Sequence, residues 1–264
     1  MILAIGINVG VIMINSNHSQ FNKTSYSSEI ATLRNALSEP ILQCYKHIVF
    51  FNLESTGIDY NKENILELSV INTSPSNGNI NIIKDFSSLI KFSDTCFISD
   101  YITKITGITT SALLKGGISK EDAIGKLDES FLLEDALYMS YNTQLDICFI
   151  NRLYESCGTI GIFNNKDVLD LMTVYKDRSL KPPHRLKDAI NTYSLTPKNT
   201  HRGLRDAYAI FELFKALIKE RDDLRKYVNL FGYSSGDPGS MFPRVTYKKQ
   251  SSDTGSIDGY LYEK

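Results

Sequence analysis

The pattern of apolar and polar positions predicts that the central part of the chain begins with a β-meander. Four apolar residues at 48–51 indicate a buried strand, which the turn residues 55–57 end. A second strand is predicted over 65–71, and Asn77-Gly78 is typical of a hairpin turn that leads into a third strand over 79–92. Because short turns join them, the three strands are expected to be antiparallel.

Helical and strand patterns alternate after the meander. A short strand is predicted over 137–141, and a strand or strand–helix junction over 168–174. Helical spacing predicts helices over 99–105, 120–127, 143–156, 186–193 and 204–219. Antiparallel strands followed by β/α alternation predict an α/β fold with a mixed central sheet flanked by helices.

Composition and net charge limit the classes of function that the chain can have. The predicted organisation is an N-terminal extension at 1–43, a main domain at 44–222 and a C-terminal extension at 223–264. The net charge of −1 gives no overall attraction to nucleic acid, so such binding needs a local patch. The four scattered cysteines form no CxxC pair, which favours a cytoplasmic protein. No apolar run reaches the ~20 residues that span a bilayer, so no membrane partner is expected.

A first polar cluster ends the first strand. Asn52 and Glu54 leave the same face of that strand, because side chains alternate along it. The alternative interpretation is a strand end that has simply reached water.

Two more polar clusters lie at predicted helix starts, and each has a structural alternative. Asp146 follows Asn142 and Thr143 after the short strand, in the pattern of a helix N-cap and capping box. Asp206 stands in the first turn of the last predicted helix, where a carboxylate suits the helix dipole. His201 precedes that helix and would ordinarily be a solvated loop residue.

Taken together, the clusters resemble the DEDDh family of proofreading-type 3′–5′ exonucleases, which includes DNA polymerase III epsilon and ribonuclease T. That family carries Asp-x-Glu-Thr-Thr-Gly, His-Asn-x-x-Phe-Asp and His-x-Ala-x-x-Asp-Ala. In this sequence the corresponding segments are, in the same order, Asn52-Leu-Glu-Ser-Thr-Gly57, Tyr141-Asn-Thr-Gln-Leu-Asp146 and His201-Arg-Gly-Leu-Arg-Asp-Ala207. The stretches Ile105–Thr109 and Pro183–Asp188 are also similar to the family. The resemblance covers roughly residues 45–220 and implies a ribonuclease H-like fold.

The resemblance also implies a mechanism and its residues. Hydrolysis of phosphodiester bonds at 3′ ends of DNA or RNA would use two Mg²⁺ or Mn²⁺ ions held by carboxylates. Glu54, Asp146 and Asp206 would be metal ligands together with position 52, and His201 the general base. The expected partner is a single-stranded or frayed 3′ end, with a polymerase or other nucleic-acid machinery as a further candidate. The residues expected to contact substrate are Leu53, Ser55, Thr56, Gly57, Asn142 and Leu145.

Position 52 departs from the family where the chemistry is most sensitive. The family has a metal-bridging aspartate there, whereas Asn52 is neutral and presents an NH₂ group as well as an oxygen. Impaired metal binding and little turnover are therefore expected, and a non-catalytic binding or scaffold module remains the alternative. Leu145 replaces the family's Phe, and Gly203 replaces its Ala. A basic rim is predicted from Lys176, Arg178, Lys181 and Arg185. The basic and aromatic run 243–249 could hold a single strand, but an edge strand or a solvated tail is the favoured interpretation.

Overall fold

The computed structural model describes residues 40–159, 161–163, 166–179, 182–196, 202–229, 233–234 and 244–245. Its main sheet has five strands: β1 (His47–Ser55), β2 (Ile65–Ser76), β3 (Asn79–Leu89), β4 (Ala136–Ser140) and β5 (Asp167–Asp170). They lie in the order β3-β2-β1-β4-β5. The first three are antiparallel, and β1–β4 and β4–β5 are parallel. The predicted α/β fold with a mixed sheet is confirmed.

Seven α-helices are found in the described part of the chain: α1 (Asp100–Thr106), α2 (Thr110–Gly116), α3 (Lys120–Phe131), α4 (Thr143–Ser156), α5 (Leu171–Arg178), α6 (Leu186–Thr192) and α7 (Arg202–Glu220). Single 3-10 turns cover Ile41–Gln43 and Leu224–Tyr227, and two short strands pair at Tyr233–Ser234 and Arg244–Val245. The sequence pattern did not predict α2. The junction expected at 168–174 is β5 running directly into α5.

The hairpin between β2 and β3 shows how local chemistry sets the register. Asn77 and Gly78 both have positive φ, at 51° and 75°. A two-residue loop of this kind matches the right-handed twist of the strands that it joins. The register then runs from Ser76 opposite Asn79 to Glu67 opposite Leu89.

Two apolar layers cover the two faces of the sheet. On one face, Phe50 of β1 makes edge contacts with Phe211 and Phe214 of α7, at centroid distances of 5.2 and 5.3 Å. On the other face, Phe51 makes an edge contact with Phe131 of α3 at 5.4 Å. Alternation along a single strand therefore sends neighbouring residues into different layers.

The packed unit includes residues on both sides of the boundaries predicted at 44 and 222. Ile41 and Leu224 are fully buried in the layer that α7 covers, and Tyr227 joins them. The predictions for residues 1–39 lie outside the described residues, as do those for most of 230–264. Within the described ranges, no helix has both the length and the apolar character needed to cross a membrane.

Candidate active site

The end of β1 presents Asn52 and Glu54 on the face that α7 covers. In the antiparallel register with β2, Asn52 lies opposite Ser69 and Glu54 lies opposite Glu67. Both follow Phe50 at steps of two, so all three side chains leave the same face. Phe50 is fully buried, whereas Asn52 and Glu54 are half-buried. The strand therefore passes from the core to a partly open, polar end.

A polar cluster on β2 and β3 continues this end of the sheet. Glu67 is only 9% exposed, and its Oε1 accepts a hydrogen bond of 2.6 Å from Ser87 Oγ. Ser69 Oγ lies 2.8 Å from Ser87 Oγ. The sequence interpretation overlooked Glu67, although its place opposite Glu54 in an alternating strand is a signal that could have identified it.

The first turn of α7 rests directly on this cluster. A Cβ atom added to Gly203 would lie 2.7 Å from Glu67 Oε2 and 2.7 Å from Ser69 Oγ. Asp206 lies three residues further along the helix, so it stands on the same side of α7 as Gly203. Its side chain is 36% exposed and lies 3.9 Å from Arg205 Nε. The third motif thereby reaches the face that carries the first, whereas His201 lies outside the described residues.

The second motif begins where β4 ends. Asn142 adopts a left-handed conformation with φ 67° and ψ 46°, which asparagine tolerates better than most residues. Its side chain makes no capping hydrogen bond. Thr143 Oγ1 instead accepts a bond from Ser140 N at 3.0 Å and donates to Leu169 O at 3.1 Å. The alternative capping-box interpretation of this segment is therefore wrong, because the hydroxyl links two strands.

Asp146 lies buried at the start of α4, with 6% of its surface exposed. Ser140 Oγ donates a short hydrogen bond to its Oδ2. Burial raises the pKa of Asp146 well above its ordinary value, the Ser140 bond opposes this, and the negative charges of Asp170 and Glu54 raise it further. Glu54 is close enough to affect the pKa of Asp146, so the fold brings the first and second motifs near each other.

Asp170 is a further buried carboxylate that the sequence interpretation did not single out. Its Oδ1 accepts bonds from Asn142 N at 2.9 Å and Met172 N at 3.1 Å, and its Oδ2 accepts one of 2.8 Å from Thr173 Oγ1. Burial raises its pKa, and these hydrogen bonds oppose the rise. Asp170 is the N-cap of α5, and an aspartate between a strand and a helix was the signal for it.

The predicted substrate residues of the first motif form a closed loop after β1. Ser55 Oγ donates to Gly57 O at 2.6 Å, and Thr56 Oγ1 donates to Glu63 Oε2 at 2.5 Å. Asn64 N donates a hydrogen bond of 2.9 Å to Thr56 Oγ1. A Cβ atom at Gly57 would lie 2.9 Å from Glu63 Cδ, so a larger residue there would require the Glu63 side chain to move. Elsewhere in the site, Leu53 and Leu145 are half-buried against the layer that α3 and α4 cover.

Comparison with known proteins identifies the family. A family model described as "Exonuclease" matches residues 49–214. The chain belongs to this exonuclease family. A search of curated proteins found no match. The resemblance to DEDDh exonucleases is thus confirmed at the level of the family.

Solved structures support the same fold for this exonuclease domain. Exonuclease I matches with a TM-score of 0.61 and 17% identity over 69% of this chain and 43% of its own. A zinc-bound complex of E. coli exonuclease I with single-stranded DNA matches with a TM-score of 0.61 and 16% identity, over 69% and 42%. The nuclease domain of 3′hExo, a DEDDh family member bound to rAMP, matches with 0.58 and 16%, over 70% and 96%. The aligned region therefore spans less than half of exonuclease I.

The donor chemistry of the candidate site suits a hard cation. Glu54, Asp146 and Asp206 offer carboxylate oxygens, and Asn52 offers an amide oxygen, which are the ligands that Mg²⁺ and Mn²⁺ prefer. A cation would also relieve the repulsion between Glu54 and Asp146 that raises the pKa of Asp146. Among the described residues, no three His, Cys, Asp or Glu side chains are already arranged as a metal site. The types of side chain at these four positions therefore suit a metal ion, and their coordination of the ion remains a prediction.

The prediction of a basic rim at 176–185 is wrong for Arg178. The side chain of Arg178 is only 4% exposed and forms ion pairs with Glu220 at 2.9 Å and Asp223 at 2.8 Å. It also donates to the carbonyl oxygens of Leu217 and Arg221. Arg185 likewise pairs with Asp188 at 2.8 Å, and Lys181 lies outside the described residues. Arg178 therefore stabilises the contact between α5 and the end of α7, whereas the side chain of Arg185 is 59% exposed and stays at the surface.

Proposed function

We propose that this chain is a 3′–5′ exonuclease that removes nucleotides from single-stranded or frayed 3′ ends of DNA or RNA with two divalent metal ions, and that Asn52 impairs it. The observation that supports this most is the coupling of Glu54 with buried Asp146 beneath the helix that carries Asp206. Two similar structures are bound to single-stranded DNA and to rAMP respectively, which agrees with a nucleic-acid substrate.

Each residue has a part in the proposed reaction. Glu54, Asp146 and Asp206 would hold Mg²⁺ or Mn²⁺, which when bound acidifies a water molecule and stabilises the leaving 3′ oxygen. Ser140 positions Asp146 through its hydrogen bond to Oδ2. His201 would take the proton of the attacking water, a role that suits a histidine near neutral pH. The loop at 55–57 and the residues Leu53, Asn142 and Leu145 would contact the terminal nucleotides.

Asn52 is the reason for a second candidate function. Its amide gives one neutral oxygen where the family has a carboxylate that reaches both ions, so one negative charge is missing beside about four positive charges. A protein that binds 3′ ends without cutting them would have the same fold and the same residue. The four cysteines are free thiols in the fold, and we include a cytoplasmic location in the proposal on that basis.

One substitution distinguishes the two functions. We expect Asn52→Asp to raise the release of nucleotides from a 5′-labelled single strand by at least about 10²-fold, equivalent to about 2.7 kcal/mol of barrier. Asn81→Asp adds the same charge at an exposed position of β3 and should change nothing. Adding Asp146→Asn to the Asn52→Asp chain should abolish the gain. An Asn52→Asp chain that folds and binds metal but stays inert would identify a binding module.

Metal binding is tested separately from turnover. Calorimetric titration with Mg²⁺ or Mn²⁺ should detect weak binding to the unaltered chain. The signal should disappear when Asp146 and Asp206 are both replaced by alanine, because two of the three carboxylates are then missing. Unchanged binding in that double variant would exclude this metal site.

A further inference from the structure

An open pocket of about 190 Å³ lies between the β1–β2 loop, the end of β3 and helices α3 and α4. Its apolar lining includes Ile65, Ile90 and Phe149, all at most 6% exposed. Clefts that enclose a whole small molecule usually measure about 300–1,000 Å³. This pocket is smaller, so it suits one group of an extended ligand that passes across it.

Three cations from three different elements line the pocket. Lys62 comes from the β1–β2 loop, Lys120 is the first residue of α3, and Arg152 lies in the third turn of α4. Glu63 is the acidic residue of the lining, so the lining carries a net charge of +2, from three positive charges and one negative charge. The chain as a whole has a net charge of −1, which makes this local excess a distinct feature.

The cations are available to a ligand. Lys62 pairs with Asp59 at 2.9 Å and Arg152 with Glu155 at 3.6 Å, but the two cationic side chains are 80% and 55% exposed. Exposed ion pairs of this kind contribute about 0–1 kcal/mol, so a phosphate can replace the partner at little cost. Lys120 has no ion-pair partner among the residues that the structure describes.

The pocket adjoins the candidate active site through Glu63. The carboxylate of Glu63 accepts the hydroxyl of Thr56, and its Cδ packs against Gly57. Thr56 and Gly57 follow Glu54 by two and three residues and belong to the loop proposed to hold the terminal nucleotide. The pocket residue Glu63 therefore contacts the loop that follows the candidate active site.

Aromatic side chains accompany the cations. Tyr60 and Phe92 are half-buried in the lining. Aromatic rings beside a positively charged groove are the combination by which proteins hold single strands, because bases stack on the rings while phosphates meet the cations. An acidic protein segment would use the cations but would not need the rings, which favours nucleic acid as the ligand.

We propose that this pocket binds phosphates of the single strand on the 5′ side of the terminal nucleotides held at the active site. The inference rests on the proposed function for the direction of the strand. It predicts that the pocket contributes to the affinity for long strands and not to the affinity for strands too short to reach it.

The test is the replacement of Lys120 and Arg152 by glutamate, with binding followed by the anisotropy of 5′-fluorescein-labelled strands of 12 and 3 nucleotides in Ca²⁺. The dissociation constant of the 12-mer should rise at least about 10-fold, and the slope of log K against log salt should fall by about 1.4, because two phosphate contacts are lost at about 0.7 each. The 3-mer should bind as before. Lys187→Glu with Lys219→Glu makes the same charge change at exposed positions of α6 and α7 and should leave both strands unaffected.

Other results would overturn the proposal. Equal weakening of the 12-mer in the control variant would mean a general charge effect, and equal weakening of both strands would place the contact within the active site. Tighter binding of a polyglutamate peptide than of the 12-mer would indicate an acidic protein as the ligand. If the glutamate variant does not fold, the Lys120→Gln and Arg152→Gln pair gives the same comparison with a smaller change. Nuclease activity of the Asn52→Asp chain on the 3-mer is measured separately, so failure of the pocket and failure of the proposed function are distinguishable.

Discussion

The contact between Gly203 and Glu67 allows a quantitative test of how α7 is seated on the sheet. Replacing Gly203 by alanine places a methyl group 2.7 Å from Glu67 Oε2 and from Ser69 Oγ. Real Cβ contacts are not that short, so a neighbour or the helix must move. The Glu67 carboxylate is the end of a flexible side chain, but it is 9% exposed and bonded to Ser87. Displacing it therefore costs both packing and a hydrogen bond.

The expected magnitude follows from two opposing effects. Overpacking a well-packed site costs about 1–3 kcal/mol, and alanine gains about 0.5–1 kcal/mol over glycine in a helix. With about 2 kcal/mol for the first and about 0.5 for the second, Gly203→Ala should lower the free energy of unfolding by about 1.5 kcal/mol. For a domain of this size the melting temperature should fall by about 3–6 °C.

The assay is thermal and urea unfolding of four variants. Gly125→Ala in α3 is the matched control, because a Cβ atom there meets nothing within 4 Å, and it should stabilise the protein by about 0.5–1 kcal/mol. Gly203→Ala in a Glu67→Ala background should be nearly neutral, which gives a coupling of about 1–2 kcal/mol between the two positions. If Gly203→Ala stabilises as Gly125→Ala does, Glu67 is not packed against α7 and the reasoning is refuted.

Three further predictions test the site and its support. Asp146→Asn should raise the free energy of unfolding in EDTA by about 1–2 kcal/mol, since a buried charge is removed, and should abolish any Mg²⁺-dependent rise in melting temperature; a persistent Mg²⁺ effect would exclude Asp146 as a ligand. Arg178→Ala should lower the free energy of unfolding by about 3 kcal/mol in urea titration, because it removes an almost buried guanidinium that donates to Glu220, to Asp223 and to two carbonyl oxygens; a change below about 1 kcal/mol would contradict the buried network. His201→Ala in the Asn52→Asp chain should reduce nucleotide release at least about 10²-fold without changing strand affinity, and an unchanged rate would exclude it as the base.

Local sequence was sufficient for the elements whose signals are local. The β1 strand, the Asn77-Gly78 hairpin and the long apolar stripe of α7 each follow from neighbouring residues, and the structure has all three. Helix α2 was missed although its seven residues make it as long as α1 and α6, which were both predicted. Its start depends on a side-chain cap, as Thr109 Oγ1 accepts from Ala112 N at 3.1 Å. A side-chain cap of this kind is a signal separate from apolar periodicity, and the sequence interpretation did not use it.

Predictions that depend on distant partners failed for a physical reason. Arg178 looked like part of a basic run, but its partners Glu220 and Asp223 lie more than forty positions away. The pocket cations Lys62, Lys120 and Arg152 are likewise isolated in the sequence and meet only in the fold. Charge in a sequence shows what a side chain can do, whereas the tertiary structure decides whether it faces solvent, a carboxylate or a pocket.

Distance along the sequence also limited the prediction of the site at β1. The sequence motif identified Asn52 and Glu54 but not Glu67 and Asp170. With these two added, the described part of the site holds buried or half-buried carboxylates at positions 54, 67, 146, 170 and 206. Each additional negative charge there raises the cost of folding without a cation, because like charges in a desolvated site repel one another. An amide at position 52 removes one such charge from this end of the sheet.

We therefore expect Asn52 to have two opposite consequences that follow from one electrostatic argument. It should lower the repulsion around Glu54 and Asp146, which would favour the metal-free fold, and it should weaken the attraction for the cations that the proposed reaction needs. Active sites often trade stability for function in this way, because groups that stabilise a transition state are poorly compensated in the resting protein. The Asn52→Asp chain should accordingly be less stable than the unaltered chain in EDTA, and Mg²⁺ should restore the difference in proportion to its binding. If the Asn52→Asp chain gains activity but is as stable as the unaltered chain in EDTA, the carboxylates near position 52 are already screened from one another. The reason for the asparagine would then lie in the substrate rather than in the stability of the fold.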